Sequence, residues 1–470
     1  MATLNTALNI LTSALEADQA ALNVTSNNVA NASTAGYTQE VPNFEENSPV
    51  TLNGIGYGSG VTMTGGVSQR DLVLDQRIQQ QTQLESSSAA QLTALNQLQS
   101  YFTPASSTST TASAGNVGTD ITNFFSSFSE LEANPSDNSL RENVLSAATT
   151  LAGDVSNTAA SINGQCSSIN EQVLSVVGQV NSLTSTLAQL NEQIQSSSPT
   201  SDAGTLEDQR QQDLLQLSQL IGVNTTTTEG NGLTITTTGG AVLVAEGQSY
   251  ALDTSVSNGL YQITASGANV TADLAQGGGS LGGLLTARDT DLPNVSSQLD
   301  QLAYTVSTVV NTQNNSGSDL NGNSGNEDIF SQPTQVAGAA ANMSVTMTNP
   351  DSIEAAAPGA GPGDDTNAVA LAAIGGQTIV NGQTPSNYYS NLVSALGSLV
   401  TETQNANTAQ QASVTQLTNL NNSISGVNLN NEASQLTNFE QAYQAGSQAF
   451  NILNQIMTST LNLGVSASVS

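Results

Sequence analysis

Asp319-Leu320-Asn321-Gly322-Asn323 opens like a calcium loop, in which side-chain oxygens spaced along a tight turn surround a hard cation. Position six of such a loop should be Gly and position twelve a bidentate Glu. Ser324 and Phe330 stand there instead, so the segment reads as a polar turn. Gly277, Gly279 and Gly282 match the G-x-G-x-x-G spacing that lets a backbone approach a dinucleotide pyrophosphate. That chemistry needs a parallel βαβ unit and an acid closing the next strand, whereas Asp300, near the right distance, lies inside a helical heptad. The glycines read as the exit from a β segment into a helix. Asp364-Asp365 and Glu45-Glu46 are neighbouring acids of the kind that could share acid–base work. The first pair precedes the apolar run Ala368 to Ile374, where an acid caps a helix and meets its positive end. The second sits among turn residues, and Cys166 is flanked by small polar ones. None of these makes an active site.

The composition agrees. The 470 residues include 37 acids and five bases, a formal charge of −32. All five bases are arginines: Arg70, Arg77, Arg141, Arg210 and Arg288. Without His there is no imidazole base or metal ligand, and without Lys no Schiff base or phosphate-loop ammonium. One Cys makes neither an intrachain disulfide nor a thiolate zinc site. Nucleic-acid phosphates and anionic lipid repel such a polyanion. No metal or cofactor is expected. No apolar run is long enough to span a membrane, and Met1-Ala2-Thr3-Leu4 does not begin a cleavable signal peptide. The reading is therefore a chain that stays in the cell or leaves by a route needing no such peptide.

The elements point to bundles. Leu4, Leu8, Leu11, Leu15, Leu22 and Val29 form one stripe on a helix near the start. Leu436, Phe439, Tyr443, Gly446, Phe450, Leu453 and Met457 alternate three and four near the end. Ile169 to Ile194 and Leu292 to Val309 keep the same alternation, with weaker helical patterns over 70–102, 120–160, 206–221 and 387–420. Ser139 with Glu142, and Thr205 with Asp208, have capping-box spacing. Between 222 and 276 the period shortens to that of strands, punctuated by Asn231-Gly232, Gly239-Gly240, Glu246-Gly247 and Asn258-Gly259. Thr103 to Gly118 and Pro358 to Asp365 read as loops. The fold expected is mainly α with a small β insertion: a terminal coiled coil, a helical bundle and a small outer antiparallel β domain. The boundaries expected are a first helix over 1–35 paired with 428–470, a bundle over 36–221 and 277–427, and the β domain over 222–276. A narrow stripe at each end of one chain pairs the two termini and leaves apolar surface for other copies.

Ser26-Asn27-Asn28-Val29-Ala30-Asn31-Ala32-Ser33-Thr34-Ala35-Gly36-Tyr37-Thr38 stops the first helix with Asn residues and Gly36. It resembles the amino-terminal signature of the bacterial flagellar rod, hook and hook-associated axial proteins, with Asn27, Asn28, Asn31, Gly36 and Tyr37 on its key positions. Gly60-Val61 to Arg70, Val427-Asn428-Leu429, Glu432-Ala433 and Phe439 to Ala445 are similar to further elements of that family. Asn134-Pro135, Asp208-Gln209-Arg210, Ser280 to Leu285 with Arg288-Asp289, Asp319 to Gly322, and Asp365, Asn367, Ala368 and Leu371 are similar to its hook–filament junction branch. Gln211 departs from the acid usual there, Gly446 from the usual Ala, and the tail 464–470 runs past the usual end. A short interval between Asp319 and the segment 337–347 implies a smaller outer region than in longer relatives.

The resemblance implies a non-enzymatic structural component of the flagellum, needed for filament assembly and motility and secreted through the type III export channel. It implies self-association in the axial assembly, contacts with the hook protein and hook-associated protein 3, and an export chaperone on the carboxyl-terminal helix. The rival readings are another axial subunit, against which 277–289 argues, a secreted adhesin, which would need a larger β region, and, third, an enzyme.

Overall fold

The computed structural model describes residues 2–52, 55–102, 117–197, 204–325 and 327–466. The chain opens with helix α1 (Ala2–Asn31), followed by strands β1 (Glu40–Glu46), β2 (Val50–Leu52), β3 (Ile55–Tyr57) and β4 (Val61–Ser68). Helices α2 (Leu72–Ser100), α3 (Val117–Glu132), α4 (Asn138–Ser196) and α5 (Gly204–Leu220) come next. The β insertion holds β5 (Val223–Thr227), β6 (Leu233–Thr237), β7 (Val242–Ala245), β8 (Gln248–Ser249), β9 (Leu252–Ser257), β10 (Leu260–Ala265) and β11 (Ala268–Asn269). Helices α6 (Thr271–Gly277), α7 (Gly279–Thr286), α8 (Leu292–Asn314), α9 (Thr366–Ile374), α10 (Pro385–Ser425) and α11 (Leu429–Ser466) complete it. The fold is mainly α with small antiparallel sheets, as expected from the periodicities.

The body is one core. Val144, Leu151, Val155, Ile162, Val173, Val180, Leu187 and Ile194 on α4 are buried. The same cluster takes in Leu95 and Leu98 on α2, Leu299 and Val306 on α8, and Leu392 and Leu396 on α10. Phe124 of α3 sits fully buried among Phe125, Phe128 and Phe330, its ring centroid 5.1, 5.3 and 5.2 Å from theirs. The patterns over 120–160 and 169–194, separate in the sequence, become α3 and the single 59-residue α4. Asn134-Pro135 supplies the break.

Strands β5-β6-β7-β8 and β9-β10-β11 form two antiparallel sheets, both packed on α4. Asn258 and Gly259 have φ of 51° and 80°, the left-handed pair that a two-residue hairpin turn requires. Three asparagines on α4 attach these sheets. Asn181 donates to the Leu252 carbonyl and accepts from its N–H, both at 2.8 Å. Asn191 holds Leu233 in the same way, at 2.7 and 3.2 Å. Asn170 donates to the Gly259 carbonyl and accepts from the Tyr261 N–H. Each amide thus pairs both a backbone N–H and a carbonyl at a strand end or hairpin turn.

Several local expectations are corrected. Helix α4 is capped by Asp137, which accepts from the N–H groups of Ser139 and Leu140, so Ser139 and Glu142 form no box. Thr205 lies inside α5, and Asp208 is engaged with residues outside it. At α9 the expectation of a capping acid holds, through Asp364, which accepts from the Thr366 N–H. Glu45 and Glu46 belong to an exposed strand end and not to a turn. Residues 103–116 of the expected loop fall outside the described residues, while Val117 and Gly118 already open α3.

The glycines at 277–283 join two short helices and serve close packing. Gly278 and Gly279 have φ of 95° and 71°. A Cβ on Gly279 would lie 2.4 Å from the Ile221 nitrogen, and one on Gly283 would lie 2.1 Å from the Ser87 carbonyl oxygen on α2. Neither neighbour is a flexible side-chain tip. Gly283→Ala should therefore force α7 off α2 and cost about 2–3 kcal/mol in urea unfolding. An unchanged midpoint would contradict this close contact.

Candidate assembly interface

Helix α1 ends at the Asn-rich signature because Gly36, at φ 77°, turns the chain back toward the body. The turn brings Asn28 to the centre of a polar joint. Its Nδ2 donates to the Glu40 carbonyl at 2.8 Å and to Glu432 Oε2 at 3.0 Å. Its Oδ1 accepts from the Tyr37 hydroxyl at 2.8 Å and from the Glu40 N–H at 3.0 Å. Gln39 donates to the other oxygen of Glu432 at 2.6 Å, and its N–H donates to the Ser425 carbonyl. Burial first, then the carboxylates of Glu40, Asp208 and Glu432, push the Tyr37 phenol up, so it stays a hydroxyl donor.

A second set of contacts fastens this joint to the body. Asp208 on α5 accepts from the Thr38 N–H at 3.0 Å and pairs with Arg70. Gln212 donates to the Ala35 carbonyl. Asn28 and Glu432 are almost fully buried, at 1% and 0% exposure, so losing one leaves the other's partners unpaired in the interior. Asn28→Ala should cost about 2–3 kcal/mol at this joint, read as faster amide exchange in 36–40. Unchanged exchange would contradict the role.

Asn28 and Tyr37, both read from the sequence as signature residues, meet here, and Gly36 makes the turn. Asn27 and Asn31 do not join them: their side chains bond each other at 2.8 Å on the exposed side of α1. Glu432, Asp208 and Arg70 lie within segments quoted for the resemblance, but their pairing with the signature spans distant parts of the chain and leaves no local pattern.

Helices α1 and α11 pack on each other, and α1 also packs on β1 and β4. Along this contact Leu15 lies so close to Gly446 that a Cβ there would come within 3.1 Å of Leu15 Cδ2. Phe439 meets Phe44 of β1 at 6.2 Å between ring centroids. Leu4, Leu8, Leu11, Leu15 and Leu22 are half-buried, as are Leu436, Phe439, Phe450, Leu453 and Met457. The fully buried face of α1 is instead Ala17, Ala21, Thr25 and Asn28. Val29 and Tyr443, counted in the stripes, are exposed at 43% and 38%. Beside them Ile452, Ile456 and Leu461 face solvent, and among the described side chains of α11 only Glu432 is buried.

No described group of acids, Cys or His could hold a metal ion. Asp319 instead accepts from the N–H groups of Asn321 and Asn323, closing its own turn. No described helix is long and apolar enough to cross a membrane.

The comparisons follow the same outline. The family described as Flagellar hook-associated protein FlgK helical domain matches residues 105–330, and Flagella basal body rod protein matches 8–38. Flagellar hook-associated protein 1 of Escherichia coli (strain K12) is 26% identical over 97% of this chain and 99% of its own. The protein of that name from Bacillus subtilis (strain 168) is 26% identical over 96% of each. In fold, the chain is similar to the flagellar hook junction protein FlgK from Burkholderia pseudomallei, with a TM-score of 0.65 at 20% identity. That likeness covers 74% of this chain and all of the other. Helical body, rod-type amino-terminal signature and end-to-end correspondence all point the same way: along nearly its whole length the chain is similar to flagellar hook-associated protein 1.

Proposed function

We propose that this protein is a structural, non-enzymatic subunit that joins the flagellar hook to the filament and is needed for filament assembly and motility. The observation that carries the reading is α11: 38 residues of helix, set against α1, with an apolar outer row that the described residues leave exposed. Such a helix is marginal alone and gains its stability from packing against neighbours. The occupants of that row are further copies of the terminal helices within the axial stack, with the hook protein on one side and hook-associated protein 3 on the other. The domain reading accompanies this: 1–35 with 428–470 as the axial coiled coil, 36–221 with 277–427 as the body, and 222–276 as the outer β domain.

Export through the type III channel and a cytosolic chaperone on α11 fit the same feature. An unfolded or chaperoned terminal segment passes a narrow channel, and a chain with a single thiol forms no intrachain disulfide to block it. In the free monomer, residues 1–35 and 430–470 are expected to exchange amide hydrogens within seconds to minutes while α4 and α8 stay protected. In assembled junctions the same termini should become protected. Strong protection of the termini in dilute monomer would contradict assembly-coupled folding.

A further inference from the structure

We propose that this chain is built to stay folded in acid: most of the contacts that hold its body together use non-titrating groups, and protonating its carboxyls relieves more repulsion than it removes attraction. The charge arithmetic comes first. With 37 acids and five arginines, protonation takes the formal charge from −32 toward +5, so acid discharges the molecule. Proteins of ordinary composition, with many lysines and histidines, become strongly cationic at the same pH and swell by self-repulsion.

The second observation is where the cations sit. Arg77 is exposed, and the other four are nearly or fully buried. Arg141 donates to the carbonyls of Pro135 and Ile353, both at 2.7 Å, and to those of Pro350 and Asp351. Arg210 donates to Asn191 Oδ1 and the Asn231 carbonyl. Arg288 holds Asn170 Oδ1 and the Tyr261 carbonyl, both at 3.0 Å, besides its neighbour Asp289. Among the described residues, ion pairs are confined to Arg70 and Arg288. The contacts joining α4 to the sheets, and Asn311 to both the N–H and the carbonyl of Phe330, use amides that do not titrate.

Third, buried carboxyls face one another. Asp120 on α3 faces Asp154 on α4 and Tyr389 on α10, and α9, also packed there, brings no titratable side chain. Asp120 Oδ2 is buried without a donor. Burial, then hydrogen bonding and repulsion with Asp154, lift Asp120 from 3.8 to about 7. Asp75 on α2 faces Arg70, Asp71, Asp208 and Asn421, and burial outweighs Arg70 to lift it to about 6. Each raised group binds a proton in the folded state that the unfolded chain releases. That stabilisation is complete below about pH 4 and fades as pH rises through about 6 and 7. Asp319 and Asp364 run the other way. Donors from Asn323 and Asn321 outweigh burial at the first, and donors from Ala357 and Thr366 hold down the second, so both lose stability as pH falls. Both close single turns, whereas Asp300 on α8 accepts from the N–H groups of Gly338 and Ala340 and Asp208 on α5 holds Thr38 and Arg70, contacts between segments that full protonation removes.

The test is melting of the full chain by calorimetry and circular dichroism from pH 2.5 to 8.5 at constant ionic strength. The transition should remain cooperative at pH 3 and lie at least about 2 °C higher at pH 4 than at pH 8. Acid unfolding with a midpoint above pH 4, or greatest stability near pH 8, would overturn the proposal. Asp120→Asn should raise the melting temperature at pH 8 and not at pH 4; equal shifts would count against the carboxyl contribution. A second variant carries Lys at the exposed positions Gln80, Gln172, Gln179 and Gln193. It should melt no lower than the parent at pH 7 and earlier at pH 3, and equal melting at pH 3 would overturn the charge argument. The inference stands or falls independently of the place of the protein in the flagellum.

Discussion

Exchanging Ile452 and Ile456 for Glu is expected to leave the monomer's stability within about 0.5 kcal/mol while abolishing filament growth and swimming. The two side chains are 58% and 44% exposed, so the free chain loses almost no packing. In the assembled junction each would be buried, at about 1.5–3 kcal/mol apiece. Losing about 3 kcal/mol or more per contact weakens association by about 100-fold or more. A buried carboxylate on the same surface deepens the loss. Complementing a strain that lacks its own copy, then scoring soft-agar swimming and filaments per cell, reads the effect. Normal swimming would mean that this row faces water in the assembly too.

Arg141→Leu should be the most damaging single change in the body, costing about 3–5 kcal/mol in urea unfolding. The guanidinium, 1% exposed, is the shared donor for the carbonyls of Pro135 before α4 and of Pro350, Asp351 and Ile353 in the loop before α9. Leucine fills much of the space and supplies no donor, so those carbonyls are left unpaired in the interior. Burial alone pushes the Arg141 guanidinium pKa down, and Asp351 and Asp319 oppose this, so it remains a cation where it is needed. Arg77→Leu on the exposed face of α2 is the control and should shift the midpoint by no more than about 0.5 kcal/mol. Equal effects of the two would contradict the clamp.

Periodicity found the elements whose partners lie on one continuous face. The 3–4 alternation at 169–194 and 292–309 became α4 and α8, and the short punctuated runs at 222–276 became the two sheets. The hairpins at 40–68 were not legible. Pro42 and the pair Gly65-Gly66 interrupt β1 and β4, and the exposed end Asn43 to Glu46 shows no alternation of burial. Asn170, Asn181 and Asn191 look like a solvated face of α4, because what they bind lies 42 to 91 residues further on.

The packing of α1 on α11 was legible in outline. The leucine stripe marks the pairing of α1 with α11, yet the deepest face of α1 is the run of small residues Ala17, Ala21 and Thr25. Small side chains let α1 approach its neighbours closely, a preference that hydrophobic periodicity does not weigh. Asn28 and Tyr37 stood out only through the family signature. Their chemistry emerges when Glu432, 404 residues away, closes on Asn28.

The most direct measurement is to label intact flagella with an antibody against the β5–β11 sheets and locate it by electron microscopy. A single short band between hook and filament is the result expected. Label along the whole filament would make the protein a filament subunit, and no label on flagella would remove it from the axial structure altogether.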